Sequence, residues 1–112
     1  MSMTDGSVLS SYVAAPDSGT GAAGVARPCN LRGVWVLPGA GDAIVTLQFH
    51  NSTADKTGTV LFKFDVGKMS AANVGDGQFG LTLPGNGIRF DTGIWVQGED
   101  TNTITSITLL YQ

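Results

Sequence analysis

From Arg32 onward the chain alternates apolar and polar residues in runs of three to eight, and a glycine-bearing turn cuts each run before it reaches helical length. A period of two sends successive side chains to opposite faces of a strand, and no run offers the 3.6-residue stripe of an amphipathic helix. Residues 33–37 (GVWVL) stop at Pro38-Gly39. Residues 43–50 (AIVTLQFH) set Ala43, Val45, Leu47 and Phe49 on one face and Thr46, Gln48 and His50 on the other. After the polar turn 51–58 (NSTADKTG), residues 59–66 set Val60, Phe62, Phe64 and Val66 against Lys63 and Asp65, so the two runs read as a hairpin with an exposed tip. Residues 67–77 have room for one helical turn at 68–72 before Gly75-Asp76-Gly77 forces another reversal. Alternation resumes through Phe79, Leu81 and Leu83 and stops at Pro84-Gly85-Asn86-Gly87. Runs at 88–90, 94–97 and 104–111 follow, separated by Asp91-Thr92-Gly93 and by residues 98–102. Short strands with turns at roughly 8–12-residue spacing predict an all-β, single-domain β-sandwich or jelly roll.

A chain of 112 residues has the size of one domain, which buries roughly two thirds of the surface its unfolded form exposes. The first thirty residues differ from the rest. Residues 7–15 (SVLSSYVAA) can form a strand, whereas 16–30 (PDSGTGAAGVARPCN) are rich in Pro, Gly and Ala without apolar periodicity and read as a linker or extended arm. The expected organisation is an N-terminal arm over 1–30 with one possible strand, followed by a β-sandwich domain over 31–112. A terminus of that composition is ordered only when something holds it down, and a neighbouring subunit is the simplest support.

The formal net charge is −3, and the six cations Arg27, Arg32, Lys56, Lys63, Lys68 and Arg89 are scattered singly. Phosphate-backbone recognition draws on clustered Lys and Arg, so direct nucleic-acid binding is not expected. Cys29 is alone, which rules out an intrachain disulfide and fits assembly in a reducing cytoplasm. The first fifteen residues lack the cationic start and continuous apolar run of a signal peptide, and no stretch approaches the ~18 apolar residues that span a bilayer. A soluble, unprocessed protein without membrane contact is the expectation.

Residues capable of chemistry are scarce: one His, one Cys and a charged fraction of 13%. No nucleophile, base and orienting acid assemble from such a set, so neither an enzyme nor a cofactor is expected. Two stretches match G-x-G-x-x-G, at 19–24 and 75–80, but the first runs into Pro28 and the second opens a strand. A dinucleotide site needs a helix at the third glycine, so both read as turns. His50 lies at the end of a strand's polar face without a second His, a nearby Cys or a catalytic motif, and reads as a surface or interface histidine. Cys29 follows a proline and reads as a small packed hydrophobe. Asp91, Glu99 and Asp100 fall in turns and form no facing pair of carboxylates. A calcium site from Asp91, Glu99, Asp100 and Asn102 has suitable oxygen ligands but no EF-hand spacing. Asn51-Ser52-Thr53 matches a glycosylation sequon, which has no meaning without secretion. Trp35 and Trp95 occupy the strand parity opposite Val34/Val36 and Ile94/Val96. Either the aliphatics face the core and both indoles lie outside, where aromatics mark subunit or ligand contacts, or both faces are buried and the tryptophans are core.

The run L-R-G-V-W-V, the hairpin strand T-V-L-F-K-F-D, the segment L-P-G-N-G-I-R-F-D-T-G-I-W-V and the closing I-T-S-I-T-L-L-Y resemble small virion proteins of tailed bacteriophages. Those sequences share a strand ending in P-G-x-G-I-x-F, a following strand of glycine, apolar residue, aromatic and valine, and a short final strand containing Tyr. The likeness covers residues 31–111 and leaves the first thirty unmatched. It implies a structural role on the outer capsid surface, made in the host bacterial cytoplasm: a decoration or cement protein, acting as a trimer, that bridges neighbouring subunits of the major capsid protein. The arm would lie across a neighbour or add a strand to it, gaining affinity through simultaneous contacts. Subunit or capsid contact is assigned to Leu9, Tyr12, Val13, Arg27, Trp35, His50, Trp95 and Tyr111. The alternative is a tail, neck or fibre component that binds host glycans or other virion proteins through Trp35, Trp95 and the acidic turns.

Overall fold

The structure, a computed structural model, describes residues 8–14, 21–38, 45–66, 79–98 and 104–112. The alternating runs become strands: β1 (Leu9–Ala14), β2 (Ala22–Val25), β3 (Cys29–Pro38), β4 (Val45–Asn51), β5 (Val60–Val66), β6 (Phe79–Thr82), β7 (Ile88–Phe90), β8 (Ile94–Gly98) and β9 (Ile104–Tyr111). No helix occurs among the described residues. The readings of a helical turn at 68–72 and of turns at 75–77 and 99–102 fall outside them.

One sheet runs β1-β9-β3-β6, with β7 also on β3, and the other runs β2-β8-β4-β5. All pairings are antiparallel. β6 lies along residues 33–36 of β3 and β7 along residues 29–31, so the two are one strand interrupted by residues 83–87. Counted that way, the order is an eight-stranded jelly roll, which holds strands distant in sequence side by side in two facing layers. The layers meet along β1 and β2, where Ser11 Oγ donates to the Gly24 carbonyl at 2.6 Å, and β5 packs beside β7 at the opposite margin.

The core is the sum of the inward parities. Leu31, Val34 and Val36 of β3, Ile107 and Leu109 of β9 and Phe90 of β7 are fully buried against Leu47 and Phe49 of β4 and Ile94 and Val96 of β8. Simple alternation cannot place both Leu31 and Val34 inside. The register against β9 shifts between Leu31 and Gly33, and this bulge at Arg32 reverses the parity of the strand. A second shift lets Ile104 and Ile107 of β9 both point inward. The hairpin pairs as its alternation requires, with Leu47 opposite Phe64 and Phe49 opposite Phe62.

The segment expected as an arm takes a different form in its described residues. β1 pairs with β9 along its whole length and β2 with β8, so both are edge strands of the sandwich. Val13, Val25 and Cys29 belong to the core, and β3 begins at Cys29, before the division expected at residue 30. The small residues of β2 have a packing reason. A Cβ on Gly24 would lie 2.5 Å from Leu109 Cδ1, so glycine there lets the core leucine reach the β2 backbone.

Candidate functional site

The outer face of the first sheet follows from its core. Burial of Val34 and Val36 sends Trp35 outward, burial of Ile107 and Leu109 sends Thr108 and Leu110 outward, and burial of Val13 sends Tyr12 outward. The registers then align Tyr12, Thr108, Trp35 and Gly80 in one row across β1, β9, β3 and β6. Ser10, Leu110, Gly33 and Thr82 form the next row. Tyr12 and Trp35 sit two strands apart, a separation of roughly 9–10 Å at the usual strand spacing. Tyr12 is 67% exposed and Trp35 48%, and Leu110 is exposed beside them. Neither row holds a charged residue.

Two glycines keep this face low. A Cβ on Gly80 would stand 2.5 Å from Trp35 Cε3, and one on Gly33 would stand 3.3 Å from Leu110 Cδ1. Their bare backbones are the floor on which the indole and the leucine lie. Val8, which precedes β1, and Leu9, which has the parity of Val13 and not of Tyr12, are also exposed at this end of the sheet.

The outer face of the second sheet is polar. Thr46 Oγ1 donates to Asp65 Oδ1 at 2.6 Å, and Gln48 stands between Gln97 and Lys63 in the ladder. Half-buried Trp95 pairs with His50 across β8 and β4. His50 corrects the expectation of a surface or contact histidine, being only 4% exposed. Its ring keeps the outward parity of β4, opposite Trp95, and lies under the hairpin tip, where Nδ1 donates to the Gly58 carbonyl at 2.9 Å and Nε2 meets the Gln97 side-chain amide at 3.2 Å. Both partners are neutral, so the ring ties the tip to β8, and among the described residues no carboxylate hydrogen-bonds it as the orienting acid of a base would. Asn51 acts similarly, its Oδ1 accepting from Thr92 N at 2.8 Å. At the tip itself, Asp55 accepts from Thr57 N and Oγ1, which holds its carboxyl below the usual carboxylate range.

The expected contact residues thus separate. Tyr12 and Trp35 are exposed on the outer first-sheet face, Leu9 is exposed at the end of β1 with the opposite parity, Trp95 lies on the other sheet, and Val13 is core. Val13 and His50 therefore leave the set of side chains that another molecule can touch. Arg27, in the connection before β3, holds its guanidinium 5.4 Å from the centre of the Tyr111 ring, a cation–π contact that braces the end of β9. Both tryptophans point outward, which decides between the two readings left open by the sequence. Leu110, Thr108, Gly33 and Gly80 complete the face and were not singled out. Alternation in I-T-S-I-T-L-L-Y forces one of Leu109 and Leu110 outward, but only the register assembles the rows.

Among the described residues no group of three or more His, Cys, Asp or Glu can hold a metal ion. Of the four residues considered for calcium, Asp91 accepts a hydrogen bond from Arg89 Nε at 3.3 Å, and Glu99, Asp100 and Asn102 lie outside the described residues. Cys29 is buried, and burial pushes its thiol above the ordinary 9.0 despite the opposing pull of Arg89 and Arg27. A raised folded-state value keeps this contribution to stability intact below the unfolded thiol's value and removes it as pH rises through the folded one. The urea midpoint is expected to fall above about pH 9 more steeply than in Cys29→Ala, with thiol labelling at neutral pH at least ~100-fold slower than in the unfolded chain. Equal labelling rates in the folded and unfolded chains would show the site to be open.

Comparison with known protein families, with curated proteins and with solved structures finds no match to this chain.

Proposed function

We propose that this protein is a non-catalytic attachment module of a tailed-bacteriophage virion, a decoration or cement protein that docks on the major capsid protein through the outer face of β1-β9-β3. The observation that carries the reading is the uncharged, low-relief face bearing exposed Tyr12 and Trp35. Interface cores are enriched in aromatics and depleted of charge, and covering such a face strands no ion away from water. The sequence resemblance to small virion proteins supports the same role. The jelly roll is compatible with it, since viral capsid and lectin domains use this architecture, but fold alone assigns no function.

Deleting the first 28 residues would remove both edge strands together with Val13 and Val25, so point substitutions are the cleaner test. Trp35→Ala and Tyr12→Ala are each expected to weaken particle binding roughly 30-fold, the scale of an aromatic anchor in an interface. Gln48→Ala, on the opposite sheet, leaves binding unchanged. Occupancy per particle, measured by quantitative electrophoresis of purified particles, reads the effect. A folded Tyr12→Ala/Trp35→Ala double variant that fills particles as well as wild type refutes the docking face.

One observation favours a second reading. Two exposed aromatic rings in one row, flanked by the hydroxyls of Ser10 and Thr108, also suit the apolar face of a host glycan, as a tail or fibre component would require. Binding of isolated protein to a glycan array, lost in the same double variant, would replace capsid docking with this role.

A further inference from the structure

We infer that two copies of this chain pair edge to edge through β5, joining their second sheets across a two-fold axis at Phe64. β5 is a terminal strand, bonded on one side to β4 and on the other to no described strand. It runs seven residues without Gly or Pro, VLFKFDV, and beyond the bulge at Leu61 the stretch Phe62–Val66 keeps a regular register against β4, with no described strand along its outer edge. Val60, Leu61, Lys63 and Asp65 are exposed, and Phe62 and Phe64 are half-buried. Two shallow hollows lie along it, one lined by Gln48 and residues 60–63, the other by Thr46 and residues 63–65.

The charges select both the occupant and the register. Lys63 and Asp65 project from the same outward face two residues apart, and among the described residues neither forms a salt bridge. In antiparallel self-pairing with Phe64 at the axis, Lys63 stands opposite Asp65 of the second copy, and the symmetry makes this contact twice. On the inner face Phe64 meets its own counterpart, and Phe62 meets Val66 of the second copy. Moving the axis to Lys63 opposes two ammonium groups, and moving it to Asp65 opposes two carboxylates. Like charges directly opposite are unfavourable, so the edge discriminates against both slips. The pairing lies in the second sheet and leaves the Tyr12/Trp35 face of each copy uncovered, so a dimer would present two docking faces and gain avidity on a repeating surface.

Sedimentation equilibrium of the full chain over a concentration series, on wild type, Lys63→Asp, Asp65→Lys and the double exchange, tests the inference. Wild type is expected to dimerise with concentration, each single exchange to raise the dissociation constant at least ~10-fold, and the double exchange to return it to within about 3-fold of wild type. Circular dichroism confirms that each variant is folded. Trp35→Ala should dimerise like wild type, which separates this edge from the proposed docking face. A wild type that stays monomeric at millimolar concentration or forms a trimer overturns the pairing. So do single exchanges without effect, a folded double exchange that stays dissociated, or a dimer lost in Trp35→Ala.

Discussion

Phe49→Ala is expected to lower the unfolding free energy by about 3–5 kcal/mol, the range for removing a fully buried phenylalanine. The size follows from its position. Phe49 is on a central strand of the second sheet, opposite Phe62 on β5 and Val96 on β8. Its ring centre lies 5.5 Å from that of Phe62 and 5.8 Å from that of Phe64, and those two rings are 5.5 Å apart. Only Phe49 of the three is fully buried, so the others lose their inner support when it is truncated. Paired strands on both sides restrain the backbone from closing the cavity, which raises the cost toward the upper end. Domains of this size are stable by about 5–15 kcal/mol in all, so the variant should melt more than about 10 °C lower. Urea unfolding followed by tryptophan fluorescence measures it. A loss below about 1.5 kcal/mol would mean that the partly exposed rings of β5 refill the space and that this end of the core is loosely packed.

Gly87→Ala should cost roughly 3–5 kcal/mol, whereas Gly85→Ala, two residues earlier in the same loop, should cost about 1–2 kcal/mol. Both glycines have positive φ, 77° at Gly87 and 62° at Gly85, so each alanine suffers left-handed backbone strain. The difference is space. A Cβ on Gly85 meets nothing within 4 Å, whereas one on Gly87 would lie 1.9 Å from the Leu31 carbonyl oxygen. That oxygen belongs to β3 backbone beside the bulge at Arg32, and it cannot yield without disturbing the join of β7 to β3. The loop is anchored there by Leu83 N donating to the Arg32 carbonyl at 2.9 Å and Gly87 N donating to that of Pro84 at 3.1 Å. Equal losses at the two positions, compared by thermal unfolding, would assign the whole effect to backbone strain and rule out the close approach to β3.

The positions of most strands and the direction of most side chains were legible along the chain. Period-two alternation is a local property, so Leu47, Phe49, Val34, Val36, Ile94 and Val96 were legible as core candidates, as was the hairpin joining β4 to β5. It did not determine the partners. The strand read at residues 7–15 is β1, and it pairs with β9 across almost the whole length of the chain, whereas the Pro/Gly/Ala segment carries β2 into the second sheet without the apolar density that marks a strand locally. The β-structure of β2 comes from the free edge of β8, which supplies backbone partners that no local pattern encodes. The bulge at Arg32, the burial of His50 under Gly58 and the row of Tyr12, Thr108, Trp35 and Gly80 likewise depend on how distant strands slide against one another. A residue's parity is fixed by its neighbours in sequence, but its row is fixed by register. Two aromatic residues on different strands therefore share one uncharged face because of how β1, β9 and β3 pair in the folded protein.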